Sequence, residues 1–584
     1  MGIAVLLFTL LVLGFSYKFY VSRQVNKNID PNWHASTPAR RYMDGVNFFP
    51  TNPGVLTLFQ FKSISLDVII SPIIALQFGW LPAILWLLVG AIFFGWVQDY
   101  MATIISVRSR GDSLSQLIGT HFTPRSRILI LVFLLCYFLI IISQFGLLLA
   151  TLLGRDDLPL AIIFLIIASF FAGYLLYRTK INPVLTTTLS VFLVILGLWL
   201  GSTGLIREKI RTFNQWIAEL NLLNTSNTIQ ENFSWQTLVW LLIIFSVCYL
   251  AALLPTWRFA VPFNYISAWL VILAFCLGVI GLILGTLTGV IHPNFEIPPL
   301  ISTNSPGIGP LWPVLFVTLS SGAVSGWHSL VSTYSTSHQL EKEPLTKPVI
   351  TKAMYGEIIL VTIVIILAAT FGVSSGAFDA TQNFSLTAGP ATAFAAGFSK
   401  TWNVLGISEV VGGSISAYLL TIMSISILHL VIRYAGIVQS EVLSPHLHWF
   451  NKRGISILVI LILAFLLIIF GIRQWIWVLF AGANQLIASL VLILAAVWLI
   501  KQGKNYRWVL WPGVFLYMTG IAAVSFSAFY QILFKQMINS SMLQYDRIIG
   551  SSIALVTAVI LVGSATIVFF TGLRELTRYR SNLG

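Results

Sequence analysis

The stretch RILILVFLLCYFLIIISQFGLLLATLL, residues 127–153, carries no charged residue after Arg127. Because an α-helix rises about 1.5 Å per residue, this run is longer than the roughly 30 Å hydrocarbon core of a bilayer. Similar runs recur along the chain, which is 57% hydrophobic and 9% charged and has a mean hydropathy of +0.90. Soluble domains carry about 25% charged residues. The sequence therefore predicts an all-α, polytopic helical membrane protein.

About fifteen apolar segments are long enough to span a bilayer, and short connections join most of them. The run at residues 3–15 has the length of a signal peptide but lacks a basic start and a small-residue cleavage site, so we interpret it as a retained helix. The segments are residues 2–20, 53–78, 80–107, 127–153, 159–177, 183–206, 234–255, 262–289, 311–333, 353–373, 407–432, 454–472, 474–500, 508–534 and 548–573.

Three regions follow from this pattern. Residues 1–52 are predicted to form the first transmembrane helix and a loop. Residues 53–505 form the transmembrane core, and residues 506–584 form a C-terminal pair of helices with a short basic tail.

The net charge of +14 comes from basic residues in short loops, which indicates membrane topology rather than nucleic-acid binding. These residues fall in alternate connections, and the positive-inside rule predicts an outside N-terminus and a cytoplasmic C-terminus. An exception is the polar loop at 207–233, which places Arg207, Lys209 and Arg211 outside. The residues that set the orientation are Arg23, Lys27, Arg40, Arg41, Arg108, Arg110, Arg125, Arg127, Arg178, Lys180, Lys342, Lys347, Lys452, Arg453, Lys501, Lys504, Arg507, Arg574, Arg578 and Arg580.

The most polar interruption of the apolar runs is S-S-G-A-V-S-G-W-H-S-L-V-S-T-Y-S-T at residues 320–336. Ser321, Ser325 and Ser329 recur at helical spacing, with His328 beside them. Small residues at this spacing are typical of close helix packing. The other interpretation is a backbone break whose hydroxyls ligate a cation or hold a carboxylate, with His328 able to titrate near neutral pH.

Charged side chains also lie inside the predicted spans. Lys62 and Asp67 lie in the second span, where they could pair with each other or lie near water in a re-entrant stretch. Asp99 lies in the third span, where it could bind a proton or a cation, or could pair with a loop arginine.

Two adjacent amides, Asn484 and Gln485, lie near mid-membrane; such amides either bond between helices or line a site. His429 and Arg433 share a helix face, and Arg433 lies near enough to the cytoplasmic end to snorkel to water.

Several function classes lack their sequence signatures. There is no G-x-x-x-x-G-K-[ST] loop for ATP, no H-E-x-x-H or G-x-S-x-G motif, and no Cys/His metal spacing. The three cysteines, Cys136, Cys248 and Cys276, lie inside apolar runs without redox spacing. We therefore predict no enzyme activity, no catalytic residues, no cofactor and no metal site.

Several motifs that interrupt or border the apolar runs match those of a known family, in the same order. They are D-G-x-N-F-x-P-T at 44–51, G-W-L-P-A-x-L-W at 79–86, G-x-V-Q-D-Y at 95–100, R-x-R-G-x-S at 108–113, S-G-x-x-S-G-W-H-S-L-V-S at 321–332, Q-L-E-K-E at 339–343 and A-N-Q-L at 483–486. From Tyr42 to about Gly503 the chain resembles the CstA family of carbon starvation proteins. The order and spacing of several motifs make this resemblance specific.

The resemblance implies a multi-pass protein of the bacterial inner membrane that acts during starvation. It implies uptake of short peptides, or of pyruvate in relatives, coupled to H⁺ or Na⁺. It also implies the five-plus-five inverted repeat of LeuT/APC-like transporters, with discontinuous helices around a midplane site. By this analogy the ninth segment is the eighth core helix, which often supplies hydroxyls to a sodium site. The implied partners are the lipid bilayer and a small substrate, and the oligomeric state stays open.

The chain departs from the family pattern in its second span. Where the family has two histidines and a Gly-rich break, this chain reads L-F-Q-F at 58–61, followed by Lys62 and Asp67. In the eleventh span, Ser426 and Leu430 replace the family's Asp and Arg. These changes keep two functions open: an ion-coupled secondary transporter, and a transport-inactive membrane sensor or assembly partner. In the first, the site is lined by Ser321, Ser325, His328 and Ser329. Lys62, Asp67 and Asp99 act in coupling or gating, and Lys62 could serve as a fixed positive charge in place of a bound cation.

Overall fold

The computed structural model describes residues 1–63, 66–179, 181–202, 204–219, 234–292, 294–305, 308–382, 384–387, 389–469, 476–538 and 545–581. The chain is 82% helical, which confirms the all-α prediction. The only strands in these ranges are two antiparallel pairs of two residues each, Asn304–Ser305 with Gly309–Pro310 and Phe378–Asp379 with Ser385–Leu386.

The α-helices follow the predicted apolar runs closely. Their bounds are Gly2–Ser16, Ser22–Asn28, Pro38–Tyr42, Pro53–Lys62, Asp67–Ala75, Trp80–Gly90, Trp96–Arg108, Leu114–His121, Pro124–Leu153, Pro159–Arg178, Pro183–Ser202, Gly204–Glu219, Trp235–Leu253, Ala260–Leu287, Leu311–Thr318, Ser320–Ala323, Gly326–Val331, Ser337–Gln339, Thr346–Phe371, Pro390–Val404, Glu409–Leu443, Arg453–Ile469, Ile476–Lys501, Arg507–Ser525 and Tyr545–Ser581.

Short π and 3₁₀ segments connect several of these helices. The π segments are Tyr17–Val21, Ala91–Gly95, Ser332–Thr336 and Phe526–Ile538. The 3₁₀ segments are Leu76–Phe78, Glu343–Leu345, Ala380–Gln382 and His448–Asn451.

Within the described residues, 12 helices are long and apolar enough to cross a membrane, or 13 if one bent pair counts as a span. The bent pair is Pro53–Lys62 with Asp67–Phe78, whose axes differ by 47°. The predicted span at 311–333 is instead a series of short helices, and Arg453–Ile469 has only 17 residues. The predicted count of about fifteen is therefore not confirmed. Residues 470–475, within the predicted spans 454–472 and 474–500, lie outside the described residues.

Three helices form the centre of the bundle. Leu479–Lys501 is buried all round, and Glu409–Leu443 and Glu343–Phe371 are nearly so. A helix that is apolar on every side is stable when other helices surround it, and this matches their composition. Gly2–Asn28 and Pro183–Ser202 lie at the periphery and expose most of their surface.

The exception to the charge pattern has a structural explanation. Part of the predicted loop at 207–233 is an amphipathic helix, Gly204–Glu219, that exposes Arg207, Lys209 and Arg211. Its Asn214 Nδ2 donates to Asp156 Oδ1 at 2.8 Å, and Trp240 Nε1 donates to Asn214 Oδ1 at 3.0 Å. A helix of this kind lies along an interface rather than in the hydrocarbon, so its basic residues do not contradict the alternation. Residues 220–233 lie outside the described residues.

Basic residues from distant connections meet at one end of the bundle. Arg108 Nη2 lies 2.7 Å from Glu343 Oε1 and donates to Ile29 O at 3.1 Å. Lys504 Nζ also donates to Ile29 O, at 3.1 Å. Four connections that the charge pattern assigns to one side of the membrane are thus in contact. Which side faces the cytoplasm stays a prediction.

The closest helix contacts predict one effect on stability. A Cβ at Gly281, in Ala260–Leu287, would lie 2.1 Å from Thr401 O, whereas a Cβ at Gly413 would meet nothing within 4 Å. Gly281→Ala is expected to lower the free energy of unfolding by about 1–3 kcal/mol, because a backbone atom cannot move aside easily. Gly413→Ala is the matched control and is expected to be neutral or slightly stabilising. Thermal unfolding in detergent measures both, and equal midpoints for the two variants would contradict this packing.

Candidate functional site

Two interrupted helices face each other in the core. We call Pro53–Lys62 with Asp67–Phe78 the first broken helix, and the series from Leu311 to Gln339 the second broken helix. Ser321 Oγ of the second donates to Asp67 Oδ2 of the first at 2.8 Å. Trp327 Nε1 donates to the carbonyl oxygen of Ser63 at 2.7 Å, next to the first break. Each interruption therefore supports the other. Ile64 and Ser65 lie outside the described residues.

The second broken helix is interrupted at Val324 and Ser325, whose backbone is not helical (φ −148°, ψ 75° and φ −96°, ψ 113°). This confirms the interpretation of residues 320–336 as a backbone break. The glycines of the motif also serve close packing, because a Cβ at Gly326 would lie 2.2 Å from the carbonyl oxygen of Asn484. Close packing and a backbone break thus both occur, at different residues. The ligation of a cation or a carboxylate by the hydroxyls stays a prediction.

Side chains from other helices satisfy the backbone groups that the break releases. Gln98 Nε2 donates to the carbonyl oxygen of Ser325 at 2.6 Å. Asn484 Oδ1 accepts from the backbone N–H of Trp327 at 2.8 Å and from the Tyr137 hydroxyl at 2.9 Å. Inside a membrane these backbone groups have no water to bond, so the two amides stabilise the broken conformation.

The two adjacent amides differ in their surroundings. Asn484 bonds between helices, as the packing interpretation predicts. Gln485 is fully buried, and neither polar atom of its side chain has a hydrogen-bond partner among the described residues. Buried amides without partners are rare in native proteins, so Gln485 is the better candidate for a ligand-binding role.

His328 lies between two buried carboxylates. Its Nδ1 is 3.4 Å from Asp99 Oδ2 and 3.6 Å from Glu357 Oε2. All three residues are at most 3% exposed. We call Asp99, His328 and Glu357 the acid–imidazole cluster. Two carboxylates and one imidazole at this spacing can hold and exchange protons.

The other polar contacts of the cluster fall on Asp99. Ser329 Oγ and Gln98 Nε2 each lie 3.4 Å from Asp99 Oδ1. Glu357 Oε1 has no hydrogen-bond partner among the described residues. The interpretation of Asp99 as the partner of a loop arginine is wrong, because Arg108 bonds Glu343 instead.

Lys62 and Asp67 do not form the ion pair that their spacing allows. Among the described contacts, Lys62 Nζ donates to Ser426 Oγ at 2.8 Å, while Asp67 accepts from Ser321. The expectation that both charges lie near water is wrong, since both side chains are fully buried. Lys62 and Ser426 are two of the departures from the family pattern, and they contact each other.

The family motif at residues 44–51 forms a docked loop. Asp44 Oδ1 accepts from the N–H groups of Val46, Asn47 and Phe48, each at 2.8 Å. Arg433 Nη2 donates to Asn47 Oδ1 at 2.7 Å, and Arg433 is only 2% exposed. Arg433 therefore does not snorkel to water, because this loop and the carbonyl oxygen of Leu254 supply its acceptors.

Seven of the nine sequence candidates meet along the second broken helix. Ser321 joins Asp67, Ser325 joins Asn484, and His328 and Ser329 join Asp99. Lys62 lies on the other side of the first break, against Ser426. Glu357 is not among the residues singled out from the sequence, although a carboxylate inside the predicted span 353–373 is itself a sign of a functional site. Gln98, Tyr137 and Trp327 are not among them either, because their hydrogen bonds at the breaks depend on distant partners.

The contrast between Asn484 and Gln485 predicts a difference in stability. Asn484→Leu leaves the Trp327 N–H without an acceptor and is expected to cost about 1–3 kcal/mol of unfolding free energy. Gln485→Met keeps the side-chain length, removes no described hydrogen bond, and is expected to be neutral. Thermal unfolding of the two purified variants measures the difference. Equal losses would show that Asn484 does not stabilise the break.

Comparison with known proteins identifies relatives of the chain. The family profile of carbon starvation protein CstA matches residues 1–383 and 375–523. Peptide transporter CstA of Bacillus subtilis is 28% identical over 376 residues, which are 63% of this chain and 58% of that protein. The pyruvate/proton symporter BtsT of Escherichia coli is 29% identical over 336 residues, 56% of this chain and 43% of that protein. The chain spans about half the length of the curated relatives it matches.

Solved structures show weaker likenesses. MhsT in complex with L-phenylalanine is 13% identical, with 91% of this chain and 99% of that chain covered and a TM-score of 0.44. A manganese transporter from Eremococcus coleocola is 12% identical, with 92% and 99% covered and a TM-score of 0.43. At these scores neither likeness defines the fold or function of this chain. The family profile, in contrast, covers most of the sequence, and the chain belongs to the carbon starvation protein CstA family.

Proposed function

We propose that the chain is a proton-coupled secondary transporter that takes up a small carboxylate-bearing nutrient, with short peptides favoured over pyruvate. Family membership supports transport, and the named relatives include peptide transporters and a pyruvate/proton symporter. The facing breaks support it further, because discontinuous helices at the midplane are where secondary transporters bind substrate. The five-plus-five repeat is part of this proposal.

The observation that carries the proposal is the acid–imidazole cluster beside the second break. Charges at membrane depth are costly unless they are neutralised nearby. A protonated His328 neutralises one carboxylate of the cluster, so the second carboxylate needs a proton or another cation. Glu357, with one oxygen lacking a described partner, is the group we assign to this extra proton. Loading and releasing that proton would change the net charge of the cluster by one unit.

The surroundings of Lys62 favour a proton over sodium. Its ammonium lies against Ser426, where the family pattern has an acidic residue. When its amine is protonated, Lys62 places a positive charge beside the first break, and this charge opposes the binding of a sodium ion there, since like charges at short range in a low dielectric repel strongly. We therefore assign Lys62 the role of a built-in cation.

The charges flanking the first break favour a zwitterionic substrate. Lys62 ends one half of the first broken helix, and Asp67 begins the other. A short peptide carries both a carboxylate and an ammonium group, which complement these two charges. Ser321 and Ser325 add hydroxyls at the facing break. Pyruvate offers a carboxylate only and complements the charge of Lys62 alone.

A second function has one observation in its favour. The contact between Lys62 and Ser426 joins two positions at which this chain is expected to differ from the family pattern. If this contact locks the first broken helix, the chain is a transport-inactive sensor or assembly partner.

Uptake into proteoliposomes tests the proposal. Labelled dipeptide and labelled pyruvate are offered under an inward proton gradient, an inward sodium gradient, or neither. Accumulation of dipeptide driven by the proton gradient is expected, and Glu357→Gln and Asp99→Asn are each expected to reduce it at least tenfold, because the cluster loses a proton-binding group. Glu409→Gln, at an exposed helix start, is the matched control and should keep parental uptake.

Other outcomes have defined meanings. Accumulation driven by sodium alone contradicts proton coupling, and accumulation of pyruvate without dipeptide contradicts the substrate assignment. If folded protein accumulates neither compound under any gradient, the transport-inactive function is the better explanation.

Lys62 has a prediction of its own. Lys62→Ala removes the built-in cation, so uptake is expected to fall and its ion dependence to change, with sodium or a higher proton concentration partly restoring transport. Lys352→Ala, which removes an exposed lysine, serves as control. Initial uptake rates over a series of pH values and sodium concentrations measure the change. A Lys62→Ala variant with the parental ion dependence would show that Lys62 has no part in coupling.

A further inference from the structure

A cleft separate from the two breaks lies at the start of Pro124–Leu153 and the end of Tyr545–Ser581. Its volume is about 810 Å³. Neither His328 nor Lys62 lines it, so it is not part of the proposed transport site. The C-terminal helix that forms one wall also packs on the core, because Gly572 lies against Phe122 and Ile493.

The cleft carries a net positive charge. Arg125, Arg574 and Arg578 line it, against a single acidic residue, Glu575. The shortest ion pair between them is long, 3.9 Å from Arg578 Nη1 to Glu575 Oε1. Arg127 nearby is already engaged, with its Nη2 at 3.0 Å from Glu441 Oε2. The lining arginines thus exceed the carboxylate by two charges.

One end of the cleft is apolar. Leu129 and Ile567 line it, and Ile567 is 53% exposed. Phe570, one turn further along, is 57% exposed. Ile567 and Arg574 are seven residues apart on one helix, or about 10 Å along its axis. The cleft therefore runs from an apolar end to a basic end over a distance comparable to the depth of a lipid head group and its first methylene groups.

We propose that this cleft binds an anionic phospholipid. The guanidinium groups of Arg125, Arg574 and Arg578 hold the phosphate, since arginine donates paired hydrogen bonds in a geometry that matches phosphate oxygens. The hydroxyls of Thr571 and Thr577 line the same cleft and add donors. The start of an acyl chain lies along Ile567 and Leu129. Basic clefts between membrane helices on the side rich in Lys/Arg are typical sites for acidic lipids.

The two ends of the cleft together argue for a lipid rather than a soluble anion. A soluble phosphate would use the arginines but make no contact with the apolar end of the cleft. A zwitterionic lipid would fill the apolar end but leave the excess positive charge uncompensated. An anionic phospholipid fits both ends, and by bridging the two helices it stabilises the docked position of the C-terminal helix.

Lipid binding to the full-length protein in neutral detergent tests this proposal. Native mass spectrometry and thermal unfolding are carried out with added phosphatidylglycerol, phosphatidylcholine or soluble glycerol phosphate. Phosphatidylglycerol is expected to remain bound and to raise the unfolding temperature, while the other two have little effect. The variant with Arg125→Gln, Arg574→Gln and Arg578→Gln together is expected to bind phosphatidylglycerol at least about tenfold more weakly, since each basic residue near an anionic lipid contributes about 1 kcal/mol.

A control variant removes the same charge elsewhere. It combines three substitutions at exposed positions in connections of the same predicted side, Arg23→Gln, Lys27→Gln and Lys452→Gln. This variant should bind phosphatidylglycerol as the parent does. If the first triple variant does not fold, Arg578→Gln alone is used, because Arg578 is largely exposed. This single variant is still expected to bind phosphatidylglycerol measurably more weakly than the parent. Equal binding of phosphatidylglycerol and phosphatidylcholine, equal loss in the two triple variants, or an equal effect of glycerol phosphate would each overturn the proposal.

Discussion

A helix that is interrupted inside a membrane releases backbone groups that no water can reach, and those groups must find partners within the protein. In this chain the partners come from the other helices of the core. Gln98 bonds the carbonyl oxygen of Ser325, Asn484 bonds the N–H of Trp327, and Trp327 in turn bonds the carbonyl oxygen of Ser63. The relative positions of four core segments therefore depend on the hydrogen bonds of the two breaks.

The same hydrogen bonds place the groups that carry charge. Gln98 supports the break, and its neighbour Asp99 enters the acid–imidazole cluster. Trp327 joins the two broken helices, and its neighbour His328 lies between the carboxylates. In each of these two pairs of sequence neighbours, the first residue bonds the backbone at a break and the second is a titratable group of the cluster. Such rigid support keeps groups that exchange protons at a fixed spacing.

The two charged residues that border the first break are held by hydroxyl groups from other helices. A buried ammonium needs a hydrogen-bond acceptor, and Ser426 provides one for Lys62. On the other side of the break, Ser321 of the second broken helix donates to Asp67. The position of the first broken helix therefore depends on two distant helices.

The amino-acid sequence by itself determined the all-α membrane fold, most of the spans and the family, and it left a break within residues 320–336 as one of two interpretations. Apolar length, local motifs and their order carry that information, because each is read from neighbouring residues. Only the tertiary structure decided that Lys62 bonds Ser426 rather than Asp67, that Glu357 joins His328, that Arg433 is held by Asn47, and that residues 204–219 form a surface helix. Ser426 lies 364 residues from Lys62 along the chain, and Asn47 lies 386 residues from Arg433. Contacts at such separation follow from how the helices pack, and no local pattern encodes them.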